Sequence, residues 1–462
     1  MPAAAIVLLA GDMDAAETAP PPSAPVTRRA VLGGAAVAAG ALAMGVGPGV
    51  AAAGTTRAAS APAGLDVHVL VVDGCRPDEV AAGRMPTVSS LAALGSSYTS
   101  ARAVDVAETI PNHVAMMTGV LPARSGVPAN SVYDRGEGVV RDLDRPSDLL
   151  VPTLLERLPA ERGVRTASIL SKNYLYGVFG TRASYRWKPE PLLPLTAHAP
   201  DQFTMNALLS ALAVQQPRMT FTNLGDVDRV GHADLSGTSL RLARTAALTA
   251  TDAQLARFVQ ALRSSGAWQR SVVVVLADHS MDWSLPTALI GLAGVLDRDP
   301  QLTGNVKVAQ NGGADLLYWT GSAARRGAAV ARMRSLASAT PGVLSVHPPS
   351  ELGLGAQAGD LVAFCKPGWR FADPTPLSNP IPGNHGHPTT RPIPFVISGG
   401  HPRVRRGLTH SLPVSTMDVA PTVAWLLSLR APGGGWDGAA RTEAFLGAGR
   451  DASAQEGEHV GD

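Results

Sequence analysis

Five short segments of the chain hold residue types suited to metal and phosphorus chemistry. They are Val71-Val72-Asp73-Gly74, Glu108-Thr109-Ile110-Pro111-Asn112-His113, Asp226-Val227-Asp228-Arg229-Val230-Gly231-His232, Ala277-Asp278-His279-Ser280-Met281 and Gly383-Asn384-His385-Gly386-His387. Taken singly each is ordinary, because an aspartate after a strand is commonly a turn or cap residue. Together Asp73, Asp228 and Asp278 with His232, His279 and His385 supply hard oxygen and borderline nitrogen donors, a set suited to zinc. Asp228 and His232 stand four apart, so one helical turn puts both on one face. Asp278 and His279 follow four valines and a leucine, a strand end where adjacent side chains diverge toward different ions. Asp226 lacks the four-residue spacing to a histidine and reads as a supporting or surface residue. His385 is preferred over His387, and His113 reads as a packing residue.

These donors need elements to carry them. Val67 to Val72 is an apolar run ending at Asp73-Gly74, the pattern of a buried strand that delivers a carboxylate at its C-terminal end. Thr166 to Leu170, Met219 to Leu224, Val272 to Leu276 and Pro394 to Ile397 are further strand candidates. Pro86 to Leu94 and Leu240 to Ser264 read as helices between them. Alternating strands and helices predict a three-layer α/β/α sandwich around a mostly parallel sheet. Ligands in such sheets sit beyond the carboxyl ends of the strands, where three of the polar segments fall. Residues from about Pro286 to Asn379 carry their own pattern (a strand at Ala314–Thr320, a helix at Ala323–Ala337, a strand at Leu361–Cys365) and read as an inserted cap subdomain. The catalytic domain is expected over residues 65–447, with a polar, disordered tail from about Ala448.

With order, spacing and the following Met117-Thr118-Gly119-Val120-Leu121-Pro122, the chain from about Val67 to Leu427 resembles the alkaline phosphatase superfamily, specifically its type I phosphodiesterase/nucleotide pyrophosphatase branch. The resemblance implies that Asp73, Thr109, Asp278 and His279 surround one zinc ion, and that Asp228, His232 and His385 surround another. It implies Thr109 as the nucleophile, a phospho-threonine intermediate, and Asn112 as donor to a phosphoryl oxygen. A threonine hydroxyl is a weak nucleophile until its pKa is lowered, and a neighbouring cation does that. Lys172, just after a strand, is a candidate substrate-binding residue that would favour monoesters if it reaches the site. Nucleotide pyrophosphatases usually carry an aromatic residue where this chain has Ile110, which argues against a nucleobase as the preferred leaving group. Phosphonoacetate hydrolases, on a similar scaffold, carry a second asparagine where this chain has His113.

The expected partner is a small phosphoester. Lys and Arg number 39 against 37 for Asp and Glu, and no basic stripe with interleaved aromatics suggests nucleic acid. Thr27-Arg28-Arg29-Ala30-Val31-Leu32 opens an Ala/Gly-rich apolar run to about Val50, followed by Ala51-Ala52-Ala53, and residues 1–53 read as a twin-arginine export signal and N-terminal extension. The glycines of that run make a poor spanning helix, and no stable membrane span is expected. The two cysteines, Cys75 and Cys365, are expected as buried thiols. A phosphomonoesterase using Lys172 or Arg182, or an inactive metal-binding protein, are the alternatives the sequence leaves open.

Overall fold

The central strand, Asp66–Val72, is buried along its whole length, as its apolar run requires. It pairs in parallel with Met219–Leu224 on one side and Ser271–Leu276 on the other, in a register that sets Val71 beside both Asn223 and Leu276. In this computed structural model the described residues are 64–190, 198–232, 239–375 and 377–447. The arginine pair at 28–29, its apolar run and the tail from 448 lie outside them.

Eight strands form the main sheet, in the order 408–415, 96–102, 395–399, 271–276, 66–72, 219–224, 166–170 and 185–187. Only Phe395–Gly399 runs antiparallel to its neighbours. Helices flank the sheet, giving the α/β sandwich expected from the alternation of elements. The four valines Val272 to Val275 are all buried, and each such side chain contributes about 1.5–3 kcal/mol on leaving water.

The parallel register has a direct consequence for chemistry. Strands 271–276, 66–72, 219–224 and 166–170 are adjacent, so their C-terminal ends line one edge. Asp278-His279, Asp73, the Asp226–His232 helix and Lys172 each follow one of those ends.

Residues 306–365 contain a four-stranded sheet in which every pairing is antiparallel, with the helix Arg326–Ala339. Ile290, Leu292, Leu317, Trp319, Met333 and Phe371 belong to a second apolar core there. The strands Val306–Asn311 and Val343–His347 complete the sheet beyond the elements read from sequence. Cys75 and Cys365 are free and buried. No helix among the described residues is long and apolar enough to cross a membrane.

Candidate active site

Thr109 opens the helix Thr109–Thr118, every residue of which is buried, and the helix ends on Gly119 in the left-handed region at φ 68°. Glu108 occupies the capping position with an extended backbone and no side-chain cap, so Thr109 is the first helical residue rather than the cap. Its Oγ1 lies 3.2 Å from His279 Nε2 and 3.4 Å from Lys172 Nζ.

Around Thr109 the predicted donors form two neighbouring groups. Asp73, Asp278 and His279 bring three donor atoms within 4.8 Å of one another, and so do Asp228, His279 and His385. His232 completes the second group, its Nε2 lying 3.3 Å from Asp228 Oδ1 and 3.1 Å from His385 Nε2. The His279 and His385 rings stack at 3.7 Å.

The hydrogen bonds fix which atoms face the centre. His232 Nδ1 meets Gly383 O at 2.9 Å, His279 Nδ1 meets Ser280 O at 2.9 Å, and His385 Nδ1 meets Ala107 O at 3.3 Å. A carbonyl only accepts, so each Nδ1 carries a proton and each Nε2 is the atom turned to the centre, a lone pair there whenever the ring is neutral. That anchoring through the far nitrogen is how imidazoles are oriented toward metals. Asp73 Oδ1, Asp228 Oδ1 and Asp278 Oδ2 are buried without a hydrogen-bond partner. Orphaned carboxylate oxygens are costly. Three of them beside three lone pairs fit divalent cations.

Asp73 is further held by Asn223 Nδ2 at 2.7 Å, and Asp278 Oδ1 accepts from the Gly74 and His279 amides. Burial and the adjacent Asp278 raise the Asp73 pKa to about 6, against the pull of Lys172. Burial works against the Asp228 carboxylate too, yet Lys172 and His232 hold its pKa well below the usual range. Burial, with His279 and His232 nearby, keeps His385 neutral.

The structure places two further expected site residues outside the cavity lining. Asn112 does not face the site. Its Oδ1 accepts from the Val104 amide and Thr416 Oγ1, and its Nδ2 donates to Glu108 O, so these hydrogen bonds fix the amide inside the protein. Asn130, one of the asparagines that line the cavity, has its Oδ1 accepting from the Ile110 amide. Lys172 is neither solvated nor at the cavity wall: its Nζ lies 2.8 Å from both Asp73 Oδ2 and Asp228 Oδ2, one carboxylate of each group. His387 pairs with Asp282 at 3.1 Å, His113 donates through Nδ1 to Thr109 O and accepts at Nε2 from Asn223 Nδ2, and Asp226 accepts from the Asp201 amide at the start of the 201–214 helix, so none of the three joins the donor groups. Arg182 is bound to Glu156.

Thr109, Asp228, His232 and His385 open onto a cavity of about 530 Å³. Its farther wall comprises Ile110, Asn130, Ser131, Tyr174, His198 and Arg229, with Gln310 and Asn311 from the edge of the second sheet. Glu108 lies beside it, and burial raises its pKa to about 8. No local sequence signal marks Asn130 or Gln310, which arrive from separate loops and strands.

The sequence profile of the type I phosphodiesterase / nucleotide pyrophosphatase family matches residues 67–387. The chain belongs to this family. As a type I phosphodiesterase/nucleotide pyrophosphatase family member it is a metal-dependent phosphoester hydrolase. Its fold is shared with an inactive variant of murine ectonucleotide pyrophosphatase / phosphodiesterase 5 solved with AMP, at 15% identity and a TM-score of 0.68, over 82% of this chain and 100% of that one. The human counterpart gives 15% identity and a TM-score of 0.68, over 82% of this chain and 100% of that one. Phosphonoacetate hydrolase from Sinorhizobium meliloti, solved with phosphonoformate, gives 20% identity and a TM-score of 0.61, over 79% of this chain and 95% of that one. No curated protein matches the sequence significantly.

Proposed function

We propose that this family member hydrolyses phosphodiester or pyrophosphate bonds by attack of Thr109 Oγ1 on phosphorus, with two zinc ions at the groups described. The convergence on Thr109 of three imidazole lone pairs and three unpartnered carboxylate oxygens carries the reading. Asp73, Asp278, His279 and Thr109 would hold one ion, and Asp228, His232 and His385 the other. Bound there, the ions would supply Lewis acidity toward the threonine hydroxyl, the attacking water and the phosphoryl oxygens.

In the first step the Thr109 Oγ1–phosphorus bond forms and the bond to the leaving alcohol or phosphate breaks. Water then attacks phosphorus, the Oγ1–phosphorus bond breaks, and threonine is regenerated. Asn130 Nδ2, whose carbonyl end is fixed by the Ile110 amide, is oriented to donate to a non-bridging oxygen. The start of a buried helix holds Thr109 in place between the two groups.

Charge favours a diester over a monoester. Arg229, the arginine of the cavity wall, is already paired with Asp226 at 2.7 Å, so it is not uncommitted for a dianion. The cavity wall carries Ile110 beside Thr109 and an amide-rich edge, with Tyr174 as its aromatic side chain among the described residues, which favours a small polar leaving group over a nucleobase. Export by the twin-arginine route belongs to the same proposal and rests on Arg28-Arg29 and the apolar run after them.

Hydrolysis of bis-p-nitrophenyl phosphate and p-nitrophenyl phosphate, with zinc restored after chelation, tests the reading. A diester preference lost in Thr109→Ala supports it, and metal-dependent turnover surviving that substitution unchanged overturns it.

A further inference from the structure

Arg244 lies within the helix Ser239–Ser264, yet its side chain is only 5% exposed. A buried guanidinium needs its donors satisfied, and the partners here are informative. Nε and Nη2 make a forked pair with Glu79, at 2.5 Å and 2.8 Å, and Glu79 is itself buried. Nη2 also donates to Gly74 O at 2.8 Å, and Nη1 donates to Val227 O at 3.0 Å.

Those two carbonyls belong to the residue after Asp73 and the residue before Asp228. One guanidinium therefore spans the two donor groups at the backbone. The surroundings leave no slack between them. Gly74 has φ +69°, and a Cβ there would stand 3.1 Å from Asp228 Cβ. A Cβ on Gly231 would stand 2.7 Å from Arg244 Nη1.

The other two donor segments connect to the same point. Arg244 lies over the Trp283 ring at 5.1 Å, and Trp283 Nε1 donates to Gly231 O at 3.2 Å, on the helix that carries Asp228 and His232. Trp283 follows Asp278-His279 by a few residues and pairs across an antiparallel bridge with Gly383, two before His385. Glu79 is anchored in turn by the Arg76 amide at 3.0 Å.

We propose that the buried Arg244–Glu79 pair is a positioning pair that sets the separation of the two metal-binding groups by holding Gly74 O and Val227 O on a single guanidinium. Neither residue touches substrate. The proposal rests on the two-zinc reading above. Lysine at 244 keeps the charge but has one head for three partners, whereas glutamine at 79 keeps the shape and loses the charge.

The test is calorimetric zinc titration of chelator-stripped Arg244→Lys, Arg244→Met and Glu79→Gln proteins, with kcat and KM for bis-p-nitrophenyl phosphate at saturating zinc. Arg270→Met, which breaks the Asp66 pair at the opposite end of the sheet, is the stability control. A positioning role gives zinc affinity weakened about 10- to 100-fold, and kcat lowered at saturating zinc with KM within about twofold. Arg270→Met keeps wild-type affinity. If Arg244→Met does not fold, Arg244→Lys and Glu79→Gln decide. Variants that bind two zinc ions with wild-type affinity and kcat, and merely melt earlier, overturn the positioning role. A wild-type stoichiometry below two overturns the two-zinc reading itself and the positioning role with it.

Discussion

His232 Nε2 and His385 Nε2 lie 3.1 Å apart while the Nδ1 of each ring is committed to a backbone carbonyl. Two ring nitrogens this close need a positive charge between them, a proton in the metal-free protein or a cation in the loaded one. Removing one imidazole should therefore cost metal before it costs fold. His385→Ala is expected to bind one zinc equivalent fewer than wild type while retaining its circular dichroism spectrum, as measured by metal analysis after dialysis. Retention of full stoichiometry would remove His385 from the donor set.

Thr109→Ala is expected to lower the turnover of bis-p-nitrophenyl phosphate at least ~10³-fold. Thr109→Ser keeps a hydroxyl at the same place and should retain measurable activity. Rapid quenching of the serine or wild-type enzyme with a radiolabelled diester should trap phosphate on residue 109, and mass spectrometry of the peptide reads it directly.

Lys172 is the counter-charge for Asp73 and Asp228 in the metal-free protein. Lys172→Met leaves those carboxylates buried without it, a loss of about 3–5 kcal/mol. Added zinc supplies positive charge at the same place, so most of the loss should return. Urea unfolding with chelator and with zinc separates the two conditions, and an equal deficit in both would show that Lys172 acts by packing alone.

His68 gives the fold a pH dependence far from the chemistry. Its Nδ1 contacts Thr220 Oγ1 at 3.0 Å between strands, and burial, with Arg270 adding, pushes its pKa down to about 3. The unfolded chain takes up this proton near pH 6.5. A depressed folded pKa means the stability contribution is complete above 6.5 and lost as pH falls toward 3, at up to roughly 1.4 kcal/mol per pH unit. Metal-stripped wild-type protein should therefore unfold at lower urea at pH 4.5 than at pH 7. In His68→Asn that slope should be reduced, as urea midpoints at the two pH values will show.

Replacing Arg28-Arg29 with lysines is expected to retain the protein in the cytoplasm of an expressing bacterium. Fractionation and N-terminal sequencing of the exported form check this, and unchanged export would remove the twin-arginine route.

The central sheet was legible because strands buried on both faces must be continuously apolar, as Val272 to Leu276 is. The strands Ser96–Arg102 and Leu408–Ser415 escaped because they mix serine, threonine, arginine, histidine and proline on partly exposed surfaces. The donor residues were legible from type and order. Orientation was not: Asn112 stands three residues after Thr109 in a helix, yet its amide is held by Val104, Thr416 and Glu108. The position of Lys172 after a strand marked it as a candidate for the site but did not show its pairing with two carboxylates, and Arg244 carried no local signal. Each owes its role to partners brought together across the chain: Asp73 and Asp228 for Lys172, and Glu79 for Arg244.

The second apolar core changes what kind of engineering this hydrolase allows. Gln310, Asn311 and Gly312 line the cavity, while Leu317, Trp319, Met333 and Phe371 belong to the second apolar core. Selectivity can thus be altered by grafting one contiguous stretch of chain, provided the graft keeps Leu316, Tyr318, Val362 and Phe364, through which the other face of that sheet joins the main core. Several junctions have to survive the graft: the Gly313 amide donates to His385 O at 2.7 Å, the Ser131 amide to Asn311 Oδ1 at 2.8 Å and the Ala123 amide to Gly353 O at 2.9 Å, and there the interchangeable part is fastened to the fixed one.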